Sequence, residues 1–329
     1  MADVFTLRKQ VETELGEWVL ENRSFLYEEI GVDKIKQHIQ LDFGDRCIRS
    51  IKSGFDTVTV WAIGKYVTDQ LAGVVDRSWL QTACESQLSS FLCTAALALP
   101  PGVPGNGLTF AAGKFCFLLA RTIAAGWRPE AELVARLGFD GLHTSLIDEG
   151  IGETRLPFVM LEIAKDWLGA DKADLNTRWR GIYMADLGLW QELIEHWREP
   201  DGDVFEALMH RMAEWHCEQS HELIETGRQG SKSYKYQKFD IMEPSYFVYP
   251  VELLAVLRLR EWEGLRNPPL SHPLFTATAL GRLGPPLARG PHPVVAAGEA
   301  RFRAEFPDTP SIAGLAALRA KQGGRTRYQ

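Results

Sequence analysis

Cysteine is sparse in this chain and never paired as C-x-x-C. The five residues Cys47, Cys84, Cys93, Cys116 and Cys217 are an odd number, and several lie inside apolar helical runs, where a free thiol behaves as a small hydrophobe. That usage excludes a disulfide framework and argues against a zinc-thiolate site. Long apolar runs are missing too: none approaches the roughly twenty residues that a membrane-spanning helix needs. The opening stretch MADVFTLRKQVETELGEW lacks the apolar core of a secretory signal, so a cytoplasmic location is expected. There is no G-x-S-x-G, no P-loop, no G-x-G-x-x-G and no H-E-x-x-H, which removes the common nucleophile, phosphate and metalloprotease motifs. The glycines of PPGVPGNG, residues 100–107, stand among three prolines without a phosphate-binding lysine and read as a turn. No repeat of fixed period stands out.

What is present is a chain of 329 residues, 45% apolar and 24% charged, long enough to bury a large core. Its dominant period is helical. Leu7, Val11, Leu15 and Trp18 form an opening stripe that Phe25, Leu26 and Ile30 extend towards a break at Gly31. A helix is expected from Val58 to Val75, although the β-branched run Thr57 to Val60 leaves a strand start open. Ser78 to Leu99 reads as a helix stopped by Pro100 and Pro101, and the almost wholly apolar run Leu108 to Ala125 reads as a central helix ended by Gly126. Further helices are expected at 129–137, 156–168, 186–199 and 204–226, with short Gly-containing connections. The fold class expected is all-α: a multi-helix, two-lobed arrangement of antiparallel helical hairpins with an irregular Pro/Gly-rich tail. The corresponding division is 1–170, 171–275 and 276–329, with one helix near 311–321 in the tail.

The segment from Phe239 to Phe275 leads from an aromatic, Pro-containing loop into one strongly apolar helix. Pro250 suits its first turn, Gly264 its end, and Pro268, Pro269 and Pro273 forbid continuation. Tyr249, Val251, Glu252 and Ala255 stand in the order aromatic, apolar, Glu, Ala, and His272-Pro273 follows about twenty residues later. This order resembles the C-terminal domain of the PoNi-type immunity proteins, with TsiT-like immunity proteins as neighbours. The resemblance implies an all-helical cytoplasmic protein that neutralises a nuclease toxin delivered between bacteria by type VI or related secretion. The chain departs from that pattern at Leu274-Phe275, where those proteins carry tyrosines.

Charge is distributed unevenly around the net value of −7. From Gln191 to Glu225 there are ten acidic residues against two basic ones. Helical projection of 204–226 places Phe205, Leu208, Met212, Trp215 and Leu223 on one side and Asp203, Glu206, His210, Glu214, Cys217, His221 and Glu225 on the other. Three readings of the polar side stand: a solvated face, a docking face for a basic protein, or a metal site of His210, Glu214 and His221. The last requires a second helix, because His210 and His221 are roughly 16 Å apart by helical rise. His216 points to the core side and reads as a packing histidine.

The stretch QGSKSYKYQKF offers Tyr234 and Tyr236 beside lysines. It reads as the rim of a protein interface, with single-stranded nucleic acid as the alternative. Together these features predict a protein that acts by binding, without catalysis or cofactor, and with neither nucleic acid nor membrane as its partner. The partner expected is a cognate secreted toxin with a basic nuclease domain. It would meet Asp203, Glu206, His210, Glu214, His221, Glu225, Tyr234 and Tyr236, with Glu252 either a contact or a buried carboxylate paired with Arg258 or another base. A metal-dependent helical hydrolase and a helical interaction scaffold are the alternatives.

Overall fold

The computed structural model describes residues 3–40, 45–98, 110–141, 146–147, 154–170, 187–221, 224–226, 235–237, 239–290 and 292–305. Residues 4–40 run as an almost unbroken helical rod. The α-helical pieces are α1 (Val4–Gln10), α2 (Gly16–Glu21) and α3 (Asp33–Gln40), and π-helical turns occupy Val11–Leu15 and Arg23–Val32. The π turns explain which residues face inward. Leu7, Val11, Leu15 and Val19 are all buried at four-residue intervals, as are Tyr27, Gly31 and Ile35. An α-helix would rotate that spacing off the core by about 40° per step, whereas wider turns keep it in line. This corrects the expected stripe: Trp18 is only partly buried and Phe25 is exposed, because the register moves to Val19 and Tyr27.

Two long helices, α4 (Asp45–Leu71) and α5 (Ser78–Ala98), pack against each other and against this rod. The β-branched run Thr57 to Val60 is helical, since Val58 and Thr59 are buried against neighbouring helices and packing overrides intrinsic preference. Trp61 stacks on Tyr27 at 4.4 Å and donates from Nε1 to the Val19 carbonyl at 3.1 Å, tying α4 to the rod. The central helix α6 (Ala112–Ala124) is buried around most of its circumference, and Gly126, with φ of 82°, ends it as expected. Helices α7 (Arg128–Gly141) and α8 (Leu156–Trp167) flank α6.

The C-terminal part adds α9 (Leu189–His196), α10 (Gly202–Gln219), the strands β1 (Ile224–Thr226) and β2 (Lys235–Gln237), and α11 (Val251–Trp262). The strands pair antiparallel, Glu225 opposite Tyr236. Pro250 caps α11 and Gly264, with φ of 76°, ends it, while every residue from Val251 to Arg260 is buried. The reason is position: α11 lies directly on α6, so the two helices cover one another.

The tail is a strap. Trp127 Nε1 donates to the Leu287 carbonyl at 2.8 Å, and the Leu287 N–H donates to the Ala125 carbonyl at 2.7 Å. Glu85 accepts from the N–H groups of Gly290 and His292. A short turn α12 (Pro273–Thr276) precedes the strap, and α13 (Pro293–Glu305) follows it and packs on α3, α4 and α5. The tail helix described is thus at 293–305; the one expected at 311–321 lies outside the described residues. The all-α class holds, with one short hairpin added. Among the described residues the buried apolar side chains from Val4 to Phe302 form a core cluster, and the expected boundary near 171 lies outside the described residues.

Candidate functional site

Helix α10 carries the acidic face, and its ends are defined by local chemistry. Asp201 is the N-cap, its Oδ1 accepting from the N–H groups of Asp203 at 2.9 Å and Val204 at 3.1 Å. At the other end Ser220 adopts extended backbone and donates from Oγ to the His216 carbonyl at 2.8 Å. The chain then pairs with the Ile241 strand position: Ile241 N–H donates to Gln219 O, and His221 N–H to Ile241 O.

The helix expected over 204–226 therefore stops at Gln219. Ile224 and Thr226, β-branched, belong to β1 and pair with β2 across an intervening segment containing two glycines. This corrects the site in two ways. His221 leaves the helix and stacks on Phe239 at 5.0 Å, and Glu225 sits in a strand, so neither continues the face of His210 and Glu214. Cys217, expected on the polar side, is buried. Among the described residues no group of His, Cys, Asp or Glu side chains is arranged to hold a metal ion, and His210, Glu214 and His221 do not converge. Tyr234 lies outside the described residues, while Tyr236 is in β2.

Phe205, Leu208, Met209, Met212, Ala213 and His216 bury one side of α10. Asp203, His210 and Glu214 are exposed on the other, with Glu206 and Glu218 half-buried. Asp203, Glu206 and Glu218 have no salt bridge to a lysine or arginine among the described residues, whereas Glu192 is engaged by Arg211. The face thus carries uncompensated negative charge.

The tertiary structure adds a residue to it. The His-Pro loop folds alongside α10, so that Ser271 Oγ donates to Glu206 Oε1 at 3.1 Å and the His272 ring meets His210 edge to face at 4.8 Å. His210 Nδ1 stands 3.7 Å from Glu214. His272 is also the N-cap of α12, its Nδ1 accepting the Leu274 N–H at 3.1 Å. The sequence signal for this pairing was the His-Pro dipeptide itself, but its partner 62 positions upstream was not readable from spacing.

Glu252 is not on the surface. It is 1% exposed, and its Oε1 lies 2.7 Å from His216 Nδ1, whose other ring nitrogen, Nε2, is 3.2 Å from the Phe247 carbonyl. The carbonyl only accepts, so Nε2 carries a proton. The Nδ1–Oε1 contact then holds a second proton, either as imidazolium with carboxylate or as neutral imidazole with carboxylic acid. Either way the pair is neutral and internal, and direct partner contact by Glu252 is excluded by burial. Arg258, the base first considered for it, instead pairs with Glu261 and donates to the Gly284 carbonyl.

Burial, and next the neighbouring His210, lower the pKa of His272, with Glu214 opposing; burial likewise lowers that of His292. The folded value then lies below the unfolded one, so the unfolded chain takes up the proton first as pH falls. Stability contributed by these groups is complete above roughly pH 6.5, the ordinary histidine value, and is lost on acidification through the folded values. Thermal unfolding measured from pH 7.5 to 5 is expected to show a falling midpoint below that point. His272→Asn, which retains a capping acceptor, is expected to flatten the slope and leave the share of His292. An unchanged slope would assign the acid sensitivity elsewhere.

Comparison of the chain with protein-family models, curated proteins and solved structures found no match.

Proposed function

We propose that this protein is a stoichiometric inhibitor, an immunity protein that binds and occludes a basic nuclease toxin in the cytoplasm. The observation that carries the reading is the exposed face of Asp203, Glu206, His210 and Glu214, rich in uncompensated carboxylate and mounted on a helix anchored in the core. Nuclease domains hold phosphates with basic groups, so a carboxylate face is complementary to the surface that must be blocked. The order Tyr249, Val251, Glu252, Ala255 and His272-Pro273 supplies the family resemblance to immunity proteins. His272 then belongs to the face through His210 rather than through a separate binding loop.

The test is co-expression with a basic nuclease toxin, any encoded beside its gene first, followed by a protection assay and measurement of affinity against salt. A one-to-one complex that protects cells and weakens with ionic strength is expected. The double variant Glu206→Lys/Glu214→Lys should still fold, since Glu214 is exposed and the half-buried Glu206 gives up only its bond from Ser271 Oγ, and should lose roughly tenfold to a hundredfold in affinity, at about 1.4 kcal/mol per factor of ten. Unaltered affinity would remove this face from the interface. Absence of any complex or protection would leave a helical scaffold as the better reading.

A further inference from the structure

Of the three arginines buried among the described residues, Arg121, Arg258 and Arg260, the first and last are treated differently. Arg260, fully buried, donates from Nη1 to the Trp197 and Glu199 carbonyls at 2.8 Å each, from Nη2 to the Arg266 carbonyl at 3.0 Å and from Nε to Asn267 Oδ1 at 3.1 Å. Arg121, 1% exposed on α6, has only its Nη2 engaged, by Gln87 Oε1. Its Nε and Nη1 have no hydrogen-bond partner among the described residues. Gln87 Nε2 donates to the Lys114 carbonyl at 3.1 Å, which fixes the amide so that its oxygen faces the guanidinium. A guanidinium remains charged under all ordinary conditions, and burying its donors without acceptors is strongly unfavourable.

Those open donors belong to a residue that lines a cavity of about 340 Å³ between α4, α5, α6 and the segment 240–246. That size suits a small molecule. Val60, Ile63 and Phe117 give it apolar wall, and Tyr246 stacks on Phe117 at 3.8 Å with the rings nearly parallel. The carboxylates there are mostly committed. Asp56 is engaged by Lys52 at 2.9 Å, Ser90 at 2.7 Å and Lys114 at 3.4 Å. Asp240 accepts from the Arg155 N–H and from Trp190 Nε1, both at 2.9 Å. Glu243 forms no salt bridge with Arg121, and burial raises its pKa against the opposing pull of Arg121 and Lys114. The cavity is therefore lined by Arg121, whose Nε and Nη1 are buried without a partner, by a second cation, Lys114, partly exposed and also held by Asp56, and by the carboxyl of Glu243.

We propose that this cavity is a binding site for a small anionic molecule carrying a carboxylate or phosphate group, with Arg121 as its principal anchor and Lys114 as a supporting cation. The site is distinct from the acidic α10 face and does not depend on the toxin reading. Charge-assisted bonds from Nε and Nη1 would complete the donors that the protein leaves open.

The experiment titrates the full chain with succinate and, separately, with inorganic phosphate at constant ionic strength, reading heat of binding and the unfolding midpoint. One of the two is expected to bind saturably and raise the midpoint, which also separates a carboxylate site from a phosphate site. Arg121→Met should weaken binding at least tenfold while leaving the unliganded protein as stable as, or more stable than, the parent, because a buried uncompensated cation is removed. Should that variant fail to fold, Arg121→Lys keeps the charge but loses the planar donor fork, and Lys114→Ala removes the second cation; both are expected to weaken the same anion. Equal binding by the parent and these variants would show surface adsorption and overturn the site. No binding of either anion to the parent would overturn it as well, leaving Arg121 as a structural residue in a hydrated cavity.

Discussion

Replacing His216 by alanine is expected to cost about 3–5 kcal/mol, the magnitude associated with breaking a buried charged pair from one side. His216 is fully buried, and its removal leaves Glu252 Oε1 without its 2.7 Å partner, beside an Oε2 that has none among the described residues. Domains are typically stable by only about 5–15 kcal/mol, so this one substitution should remove a large fraction. Thermal denaturation should record a fall on the order of 5–10 °C. The pair also joins α10 to α11, so hydrogen exchange should quicken along Gly202–Gln219 and weaken binding at the α10 face without altering any exposed carboxylate. Adding Glu252→Leu to His216→Ala is expected to restore part of the loss, since an apolar residue replaces the stranded acid. If His216→Ala alone proves neutral, the pair is not structurally important and α10 is held by its apolar side only.

Arg260→Met should be of similar size for a different reason. Methionine fills much of the volume but leaves the carbonyls of Trp197, Glu199 and Arg266 without the donors they now share. An unsatisfied buried acceptor costs about 1–3 kcal/mol, so three give a combined loss on the order of 3–5 kcal/mol after partial hydration. The guanidinium also lies over the Phe205 ring at 3.6 Å, fixing the first turn of α10 from beneath. The expected signature is therefore local: lower denaturation midpoints together with increased exchange at 197–205. Arg260→Lys is expected to recover little, because one ammonium cannot reproduce the four-acceptor geometry. A stability within about 0.5 kcal/mol of the parent would show that water replaces the guanidinium without loss.

The N-terminal rod, α5, α6, α8 and α11 are all legible as helices, because their apolar spacing and their Pro and Gly boundaries act over a few residues. Local signals misled where two periods compete. The polar side of α10 continues in helical register as far as His221 and Glu225, yet pairing of Ser220 with Ile241 and of Glu225 with Tyr236 takes the chain out of the helix. In the rod, π turns preserve a four-residue repeat that an α-helical projection assigns to Trp18 and Phe25. Arg121 passed unnoticed in the apolar run Leu108 to Ala125, because nothing local says whether its donors are satisfied.

By itself the amino-acid sequence determined that this is an all-α chain with apolar helices at its centre, that no cysteine framework staples it, and that its negative charge is concentrated around α10. These follow from composition and short-range periodicity, which act through backbone geometry over one or two turns. Tertiary structure alone decided that His216 neutralises Glu252 inside the core, that His272 joins His210 on the acidic face, and that Arg260 is saturated while Arg121 faces a cavity. The reason is that hydrogen bonding and desolvation depend on which groups meet after packing, and those groups come from helices far apart in the chain.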